Sequence, residues 1–299
     1  MKVAAIGLGS MGMGAALNLL KAGHDVTGVD PRAEARDAFI AAGGKAVARA
    51  GEIAEGTEAA LVLVVNAAQT ETALFGEGGA LPRLAPGAVV IASATVAPEA
   101  ARALATKAEA AGLLWLDAPV SGGAKGAAEG TMVVMASGAE AAFAKAEPVL
   151  AAIARKTWRL GDAPGIGSTV KMVNQLLAGV HIAAAAEAMA LGIRAGADPR
   201  MLYEVISSAA GNSWMFSNRV PHILDGDDTP RSAVDIFVKD LGIVLDAARG
   251  MTFPLPVTSA AHQLFLGVSA AGHGGRDDAF VIRFWQMLAG IKLPDPKQG

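Results

Sequence analysis

Short apolar runs alternate with segments of helical spacing through the first half of the chain. The runs are mostly apolar along their length, which is typical of strands in a parallel sheet that is covered on both faces. Strands that alternate with helices in this way indicate an α/β fold. The predicted strands are residues 3–6, 26–29, 61–65, 88–92, 113–116, 132–135 and 157–160.

The pattern changes after residue 165. Residues 167–194 contain no proline, so they predict one helix of about 28 residues, which would be about 42 Å long at 1.5 Å per residue. Helical spacing then continues towards the C-terminus, and no strand pattern returns. The predicted helices are residues 199–208, 213–224, 234–249, 257–270 and 277–289.

A glycine cluster follows the first predicted strand and opens the first predicted helix. Its sequence is Gly7-Leu8-Gly9-Ser10-Met11-Gly12, and Asp30 follows the second predicted strand. In this setting Gly7 permits a tight turn, Gly9 lets the backbone approach a pyrophosphate, and Gly12 lets the helix pack on the strand. The helix N-terminus offers N–H groups to phosphates, and Asp30 can accept a hydrogen bond from a ribose hydroxyl. All seven residues therefore predict a dinucleotide-binding site.

These patterns divide the chain into three parts. We expect an α/β N-terminal Rossmann domain with a parallel-rich sheet over residues 1–163. A long interdomain helix over residues 164–194 would connect it to an all-α C-terminal domain over residues 195–299. In sheets of this kind ligands bind outside the carboxyl ends of the strands, so the site is expected there.

Composition narrows the possible functions. The chain has no cysteine, which excludes disulfides, thiolate metal ligands and cysteine nucleophiles. Its five histidines show no metal-binding spacing, and its net charge of −3 gives no basic footprint for nucleic acid. The longest stretch without Asp, Glu, Lys or Arg, residues 251–275, contains two prolines and several glycines, so no membrane span is expected. We expect a cytoplasmic protein without a metal, nucleic-acid or membrane partner.

Three motifs carry a family resemblance. They are the glycine cluster at 7–12, Asp-Ala-Pro-Val-Ser-Gly-Gly at 117–123, and Gly-Ser-Thr-Val-Lys-Met-Val-Asn at 167–174. Together they resemble the β-hydroxyacid dehydrogenases, which include 3-hydroxyisobutyrate dehydrogenase and tartronate semialdehyde reductase. The resemblance covers essentially the whole chain and implies hydride transfer between a small hydroxy acid and a nicotinamide cofactor. Residues 210–216, 232–241 and 276–279 resemble the branch of the family that oxidises L-threonate.

Lys171 is the candidate general acid/base. Asn174 and Gln175 lie three and four residues further along the predicted helix and share a face with Lys171. An ordinary lysine is almost fully protonated at neutral pH, so a lysine base needs burial or a nearby cation. The residues alone also fit a surface lysine near the start of a helix. The resemblance implies the acid/base role for Lys171 and an orienting role for Asn174.

Ser121-Gly122-Gly123 is the candidate substrate loop. Backbone N–H groups and a hydroxyl suit a carboxylate, although the same residues also fit an ordinary tight turn. The resemblance implies that Ser121, Gly122 and Gly123 bind the substrate carboxylate.

The resemblance implies further site residues in both halves of the chain. Asn66 and Thr95 follow predicted strands and would contact the cofactor, unless they only cap the strand ends. Lys239 would reach the cofactor from the second domain. Asn212 and Trp214 would contact or shield the substrate, with ordinary core packing as the alternative for Trp214.

Asp30 favours NAD over NADP, because a carboxylate accepts from a 2′-hydroxyl but repels a 2′-phosphate. Arg32 lies one position beyond the arginine of NADP-preferring relatives, so NADP is less favoured. The expected reaction is NAD-dependent oxidation of a small hydroxy acid, L-threonate, to its 2-oxo acid. A homodimer or homotetramer is expected, because the apolar helices would otherwise leave large exposed patches.

Other functions remain open at this point. Tartronate semialdehyde reductase and 3-hydroxyisobutyrate dehydrogenase share the three motifs, so they are the alternatives within the family. An NADPH-dependent imine reductase usually lacks the Lys-x-x-Asn pair and the carboxylate loop, and a non-catalytic binding module of this fold loses the lysine. Both features are present in this chain at Lys171, Asn174 and residues 121–123, which argues against the last two alternatives.

Overall fold

The computed structural model describes residues 1–294 and divides the chain into two compact units, Met1–Met172 and Val173–Gly299. The strands, all in the first unit, are β1 (Lys2–Ile6), β2 (Asp25–Val29), β3 (Lys45–Val47), β4 (Thr57–Val62), β5 (Leu84–Ala92), β6 (Leu114–Asp117), β7 (Val120–Ser121), β8 (Met132–Ser137) and β9 (Ala154–Gly161). The helices of the first unit are α1 (Gly12–Lys21), α2 (Ala33–Ala41), α3 (Ala67–Phe75), α4 (Pro98–Ala110), α5 (Gly123–Glu129) and α6 (Glu140–Ile153). The unit boundary lies within α7 (Ile166–Arg194), and the second unit continues with α8 (Pro199–Ser207), α9 (Trp214–Leu224), α10 (Val234–Gly250), α11 (Pro256–Val268) and α12 (Arg283–Ala289).

The nine strands described within residues 1–294 form one sheet. Its order is β3-β2-β1-β4-β5-β6-β8-β7, and β9 pairs with β8. All pairings from β3 to β6 are parallel, whereas β8 runs antiparallel to β6 and β7. The strand order reverses between β1 and β4, which is the switch point where open α/β sheets bind ligands.

Both faces of the sheet are buried. In β5, Val89 and Ile91 pack into one apolar cluster, and Val90 and Ala92 pack into another, as the two-residue repeat of a strand requires. Helices α1, α5 and α6 cover the first face, and α3 and α4 cover the second. This burial explains the nearly continuous apolar runs and confirms the predicted α/β fold with a parallel-rich sheet.

Among the described residues of the second unit, the regular elements are helices and one isolated β-bridge between Ala233 and Asp277, as the predicted all-α domain requires. Its core joins α7 to the helices that follow, with Met189, Phe216, Phe265 and Val281 among the buried side chains. Two helices begin with side-chain caps, since the Asp198 carboxylate accepts from the third residue of α8 and the Ser213 hydroxyl from the third residue of α9. The predicted all-α character is therefore confirmed.

Strand β4 (Thr57–Val62) begins and ends earlier in the sequence than the predicted strand at residues 61–65. The apolar run extends to residue 65, but β4 ends at Val62. The Leu63 N–H still donates to the Ile6 carbonyl (2.8 Å), and the chain then turns into α3. The Asn66 Oδ1 atom accepts from the Gln69 N–H at 2.9 Å, so Asn66 caps this helix.

Two predicted C-terminal helices end or begin differently in the structure. The helix expected at 257–270 is α-helical only to Val268, because a π-helical turn with Gly272 at φ +88° follows it. The helix expected at 277–289 is divided into a 3₁₀ turn, Asp278–Ile282, and α12. The Asp277 carboxylate caps the 3₁₀ turn by accepting from the Ala279 N–H (3.1 Å).

Candidate functional site

The predicted site residues of the first unit gather at the carboxyl edge of the sheet. The register pairs Ile6 with both Val29 and Val62, and it pairs Ala92 with both Val62 and Asp117. Strands β1, β2, β4, β5 and β6 therefore end level with one another. The glycine cluster, Asp30, Thr95 and the 117–123 motif follow these ends directly, so segments distant in sequence lie side by side.

The glycine cluster forms the turn from β1 into α1. Gly7 has φ +94°, and a Cβ atom there would approach the Leu63 carbonyl oxygen to 2.6 Å. A Cβ atom at Gly12 would overlap the Gly7 carbonyl oxygen, whereas Gly9 has no atom within 4 Å of the position its Cβ would take. The loop therefore packs tightly against the protein at Gly7 and Gly12, whereas space remains beside Gly9. This cradle fits the approach of a pyrophosphate to the backbone.

Asp30 is a buried carboxylate at the end of β2. Its Oδ2 atom accepts from the Leu8 N–H of the glycine loop (2.9 Å) and from Arg32 Nη2 (2.9 Å). Its Oδ1 atom accepts from the Arg32 backbone N–H and from Nε, both at 2.9 Å. Burial alone would raise the pKa of Asp30, but the hydrogen bonds from Arg32 and Leu8 outweigh it and hold the pKa below its ordinary value. The site therefore presents a fixed negative charge beside the glycine loop.

Asn66 and Thr95 occupy different settings at this edge. The Asn66 side chain caps α3 through Gln69, which is the structural alternative that the sequence left open. Thr95 is half-buried, three residues after the end of β5. Their predicted contacts with a cofactor stay predictions.

The substrate loop joins β7 to α5. Ser121 pairs with Val133 in the sheet, and its side chain is half-buried. Gly122 (φ +135°) and Gly123 (φ +63°) adopt backbone conformations that L-residues rarely take, and both are exposed. The loop thus combines a hydroxyl with exposed backbone, an arrangement that suits the binding of an anion.

Lys171 lies near the start of α7 and is 7% exposed. The first turn of this helix is hydrogen-bonded to Asp117, a buried carboxylate at the end of β6. Asp117 Oδ1 accepts from Ser168 Oγ (2.7 Å), and Oδ2 accepts from the Gly165 and Ser168 N–H groups (2.9 Å each). Burial raises the pKa of Asp117 above its ordinary value despite these hydrogen bonds. Because only 7% of Lys171 is exposed, it is not the surface lysine that the residues alone also allowed.

In the second unit, two predicted site residues belong to one hydrogen-bonded chain. Asn174 Nδ2 donates to Gln175 Oε1 (3.0 Å), and Gln175 Nε2 donates to Asp240 Oδ2 (2.5 Å). Lys239 Nζ forms an ion pair with Asp240 Oδ1 at 2.6 Å. Asp240 is 2% exposed, so it positions Lys239 rather than being solvated.

Asn212 and Trp214 lie at the start of α9. Asn212 Nδ2 donates to the Ser207 carbonyl, and its Oδ1 atom accepts from Ser217 Oγ, both at 2.9 Å. Trp214 is 64% exposed, so it does not pack in the core. Asn212 also lines a cavity of about 390 Å³ within this unit. The roles of both residues towards a substrate stay predictions.

The 276–279 stretch anchors the turn that leads into α10. Asp278 and Arg219 form a bidentate ion pair (2.5 and 3.0 Å), and the Asp278 carboxylate is fully buried. Asp277 accepts from the Arg231 N–H at 3.0 Å, and the Asp278 N–H donates to the Ser232 carbonyl at 2.8 Å. This network fixes the start of the helix that carries Lys239 and Asp240.

Sequence reasoning assigned no role to Asp117, Ser168 or Gln175. Asp117 and Ser168 lie inside two of the quoted motifs, so a signal was present in each case. The motifs do not show that Asp117 accepts hydrogen bonds from Ser168, which lies 51 residues further along the chain.

A parallel sheet with a glycine cradle at its switch point, and a fixed carboxylate at the end of the next strand, defines a dinucleotide-binding domain. The residues present fit an NAD molecule, since Gly9 leaves space beside the helix N-terminus and Asp30 suits a ribose hydroxyl.

Comparisons with known proteins specify the class further. Residues 2–161 match the family described as the NAD binding domain of 6-phosphogluconate dehydrogenase, and residues 165–285 match NAD-binding of NADP-dependent 3-hydroxyisobutyrate dehydrogenase. The L-threonate dehydrogenase of Cupriavidus necator is 59% identical over 292 residues, 98% of this chain and 97% of that protein. The L-threonate dehydrogenase of Escherichia coli K12 is 52% identical over 296 residues, 99% of this chain and 97% of that protein. A solved structure of 3-hydroxyisobutyrate dehydrogenase from Salmonella typhimurium has a TM-score of 0.90 and 52% identity, and covers 95% of this chain and 99% of that one.

The chain belongs to the 3-hydroxyisobutyrate dehydrogenase family of NAD-dependent hydroxyacid dehydrogenases. The family resemblance, the enzyme class and the NAD cofactor predicted from the sequence are thereby confirmed.

The lowered pKa of Asp30 predicts a pH-dependent contribution to stability. A carboxylate whose folded pKa is depressed stabilises the protein above its unfolded pKa of about 3.9, and this contribution is lost as the pH falls through the folded pKa. We expect Asp30→Asn to lower the free energy of unfolding by about 1–3 kcal/mol at pH 7, as expected for charge-assisted hydrogen bonds. The difference from the parent should shrink below about pH 5.

Denaturant unfolding of both proteins between pH 7 and pH 3.5 measures this difference. Asp25→Asn is the matched control, because Asp25 begins the same strand and pairs with Lys45 in an exposed position. Such exposed pairs contribute under about 1 kcal/mol. If the difference in unfolding free energy between Asp30→Asn and the parent grows as the pH falls, the lowered pKa assigned to Asp30 is contradicted.

Proposed function

We propose that the chain oxidises L-threonate to its 2-oxo acid with NAD and uses Lys171 as the general acid/base. The observation that carries this proposal is the burial of Lys171 on an anchored helix in the unit that also holds the glycine cradle and the substrate loop. The substrate is proposed from the relatives named L-threonate dehydrogenase and from the stretches 210–216, 232–241 and 276–279.

Each residue has a stated task in this proposal. When bound, NAD supplies the hydride acceptor. The backbone N–H groups of Gly122 and Gly123 and the Ser121 hydroxyl hold the substrate carboxylate. Lys171 Nζ takes the proton of the reacting hydroxyl, and in the reverse direction it returns that proton to the oxygen. Asn174, one turn further along α7, orients the hydroxyl.

Oligomer formation is proposed from the exposed face of α7. Val173, Leu177 and Leu191 are about half exposed or more, and Met201 and Val205 on α8 are also exposed. By length and composition α7 could cross a membrane, and 44% of its most apolar window is buried within the protein. We propose that a second copy of the chain covers this face, because exposed apolar patches of this kind mark contact surfaces. The cytoplasmic location and the lack of nucleic-acid and membrane partners stay predictions.

Lys171→Ala tests the acid/base role. We expect kcat for L-threonate to fall about 10²–10⁴-fold, the range for loss of a positioned proton-transfer group. The Kd for NADH, measured by fluorescence titration, should change little. Lys45→Ala is the control, because Lys45 is exposed and pairs with Asp25 at the start of β2, the opposite end of that strand from Asp30. Unchanged turnover in Lys171→Ala would refute the role.

A substrate panel tests the specificity. With NAD, we expect kcat/KM for L-threonate to exceed that for 3-hydroxyisobutyrate by about 10-fold or more, because a site built for extra hydroxyls leaves polar groups unpaired with a substrate that lacks them. Tartronate semialdehyde with NADH should be reduced with similarly low efficiency. NADP should replace NAD poorly throughout. A rate on L-threonate no better than that on 3-hydroxyisobutyrate would remove the preference for threonate.

Light scattering coupled to size exclusion tests the oligomer. The parent protein should have the mass of two or four chains, and the double substitution Leu177→Lys with Leu191→Lys should shift it towards the mass of one chain. Ile40→Lys is the control, because Ile40 is also about half exposed but lies on α2 in the other unit. A parent protein with the mass of one chain would overturn this proposal.

A further inference from the structure

We propose that Asp117 is a positioning residue for the reaction, which holds the first turn of α7, and with it Lys171, in a fixed relation to the substrate loop. The inference rests on the proposed acid/base role of Lys171. It concerns Asp117, Ser137 and Ser168, to which neither the sequence motifs nor the comparisons give a role.

The first turn of α7 is held by side chains of the sheet. A helix leaves its first N–H groups without partners inside the helix. Here the Gly165 and Ser168 N–H groups donate to Asp117 Oδ2, and the Gly167 N–H donates to Ser137 Oγ, each at 2.9 Å. The Ser137 hydroxyl is itself 3.4 Å from Asp117 Oδ2. Residues at the ends of β6 and β8 therefore accept hydrogen bonds from the N–H groups at the start of α7.

Close packing leaves this turn no room to move towards the sheet. A Cβ atom at Gly167 would overlap the Met135 carbonyl oxygen and would lie 2.7 Å from the Asp117 carbonyl oxygen. The backbone of α7 thus contacts the backbone of β6 and β8 directly. Lys171 follows Gly167 by four residues, one helical turn, so a shift of this turn would carry the Lys171 amine with it.

Asp117 also begins the segment that ends in the substrate loop. The Ala118 N–H donates to the Ala92 carbonyl, and the Met135 N–H donates to the Pro119 carbonyl, both at 2.9 Å. Four residues after Asp117, Ser121 pairs with Val133. The same short segment therefore holds the helix of Lys171 at one end and the substrate loop at the other.

The chemistry of Asp117 favours a positioning role over simple packing. The residue is 2% exposed, and a buried carboxylate is less favourable than an apolar side chain unless its hydrogen bonds are needed. Asp117 accepts from Ser168 Oγ, two backbone N–H groups and Ser137 Oγ, all of which serve the start of α7 or the neighbouring strand. A displacement of about 1 Å at a reacting group can lower a rate on the order of 100-fold.

The test compares Asp117→Ala, Asp117→Asn and Ser168→Ala by kcat, KM, the Kd for NADH and thermal unfolding. We expect Asp117→Ala and Ser168→Ala to lower kcat about 10–100-fold, while the Kd for NADH changes less than about 3-fold. Asp117→Asn should restore most of kcat, because the amide oxygen still accepts the N–H groups and the amide nitrogen can donate to Ser168 Oγ. Asp198→Ala, which removes the cap of α8, is the matched control and should leave kcat unchanged.

A double-mutant cycle separates positioning from a general loss of structure. In the Lys171→Ala background, Asp117→Ala should lower the remaining turnover less than about 3-fold. Asp117 acts on turnover by positioning the Lys171 amine, and this variant has no such amine. Equal losses in both backgrounds, or a folded Asp117→Ala with parental kcat, would overturn the inference. If Asp117→Ala does not fold, the same two criteria apply to Ser168→Ala. If Lys171→Ala itself keeps full turnover, the proposed acid/base role fails, and positioning of that role fails with it.

Discussion

The common direction of strands β1, β2, β4, β5 and β6 is the constraint on which the site depends. Their hydrogen-bond ladder continues one residue beyond the strand ends, as when the Gly7 N–H donates to the Val29 carbonyl at 2.8 Å and the Ser93 N–H to the Val62 carbonyl at 2.9 Å. Each loop of the carboxyl edge therefore starts from a backbone that the sheet has already fixed. Flexible loops at this edge would leave the cradle, the carboxylate and the substrate loop without defined separations.

Features with a local physical cause were predictable from the sequence. The turn at Gly7 needs a positive φ, and the strand–glycine–helix order reveals this need without knowledge of the fold. Apolar runs revealed the buried strands because side chains on both faces of the sheet are covered. Where a local cause competed with the pattern, the prediction was wrong by a few residues. The end of β4 is an example, because Asn66, which caps α3, directly follows the apolar run, and the chain leaves the sheet at Val62 before that run ends.

Features that depend on a distant partner were not predictable. Asp117 and Ser168 are 51 residues apart, and Gln175 and Asp240 are 65 residues apart. A carboxylate in a motif can be solvated, can bind a ligand or can anchor a helix, and spacing along the chain does not distinguish these roles. The same limitation applies to Asn212, whose two polar ends already bond to Ser207 and Ser217. Only the folded structure shows that both polar groups of the Asn212 side chain are already hydrogen-bonded within the protein.

The pairing of Asp30 with Arg32 bears on cofactor choice in a way that sequence order alone does not reveal. The Asp30 side chain is 5% exposed and accepts from the Leu8 N–H, whereas the Arg32 side chain is 59% exposed. The exposed Arg32 side chain can turn towards solvent without leaving the carboxylate unbonded, because the Leu8 and Arg32 backbone N–H groups still donate to it. A buried carboxylate bonded to the backbone stays in place. An incoming ribose therefore meets a fixed negative charge and a movable positive one, and the fixed charge favours a hydroxyl over a phosphate at this position.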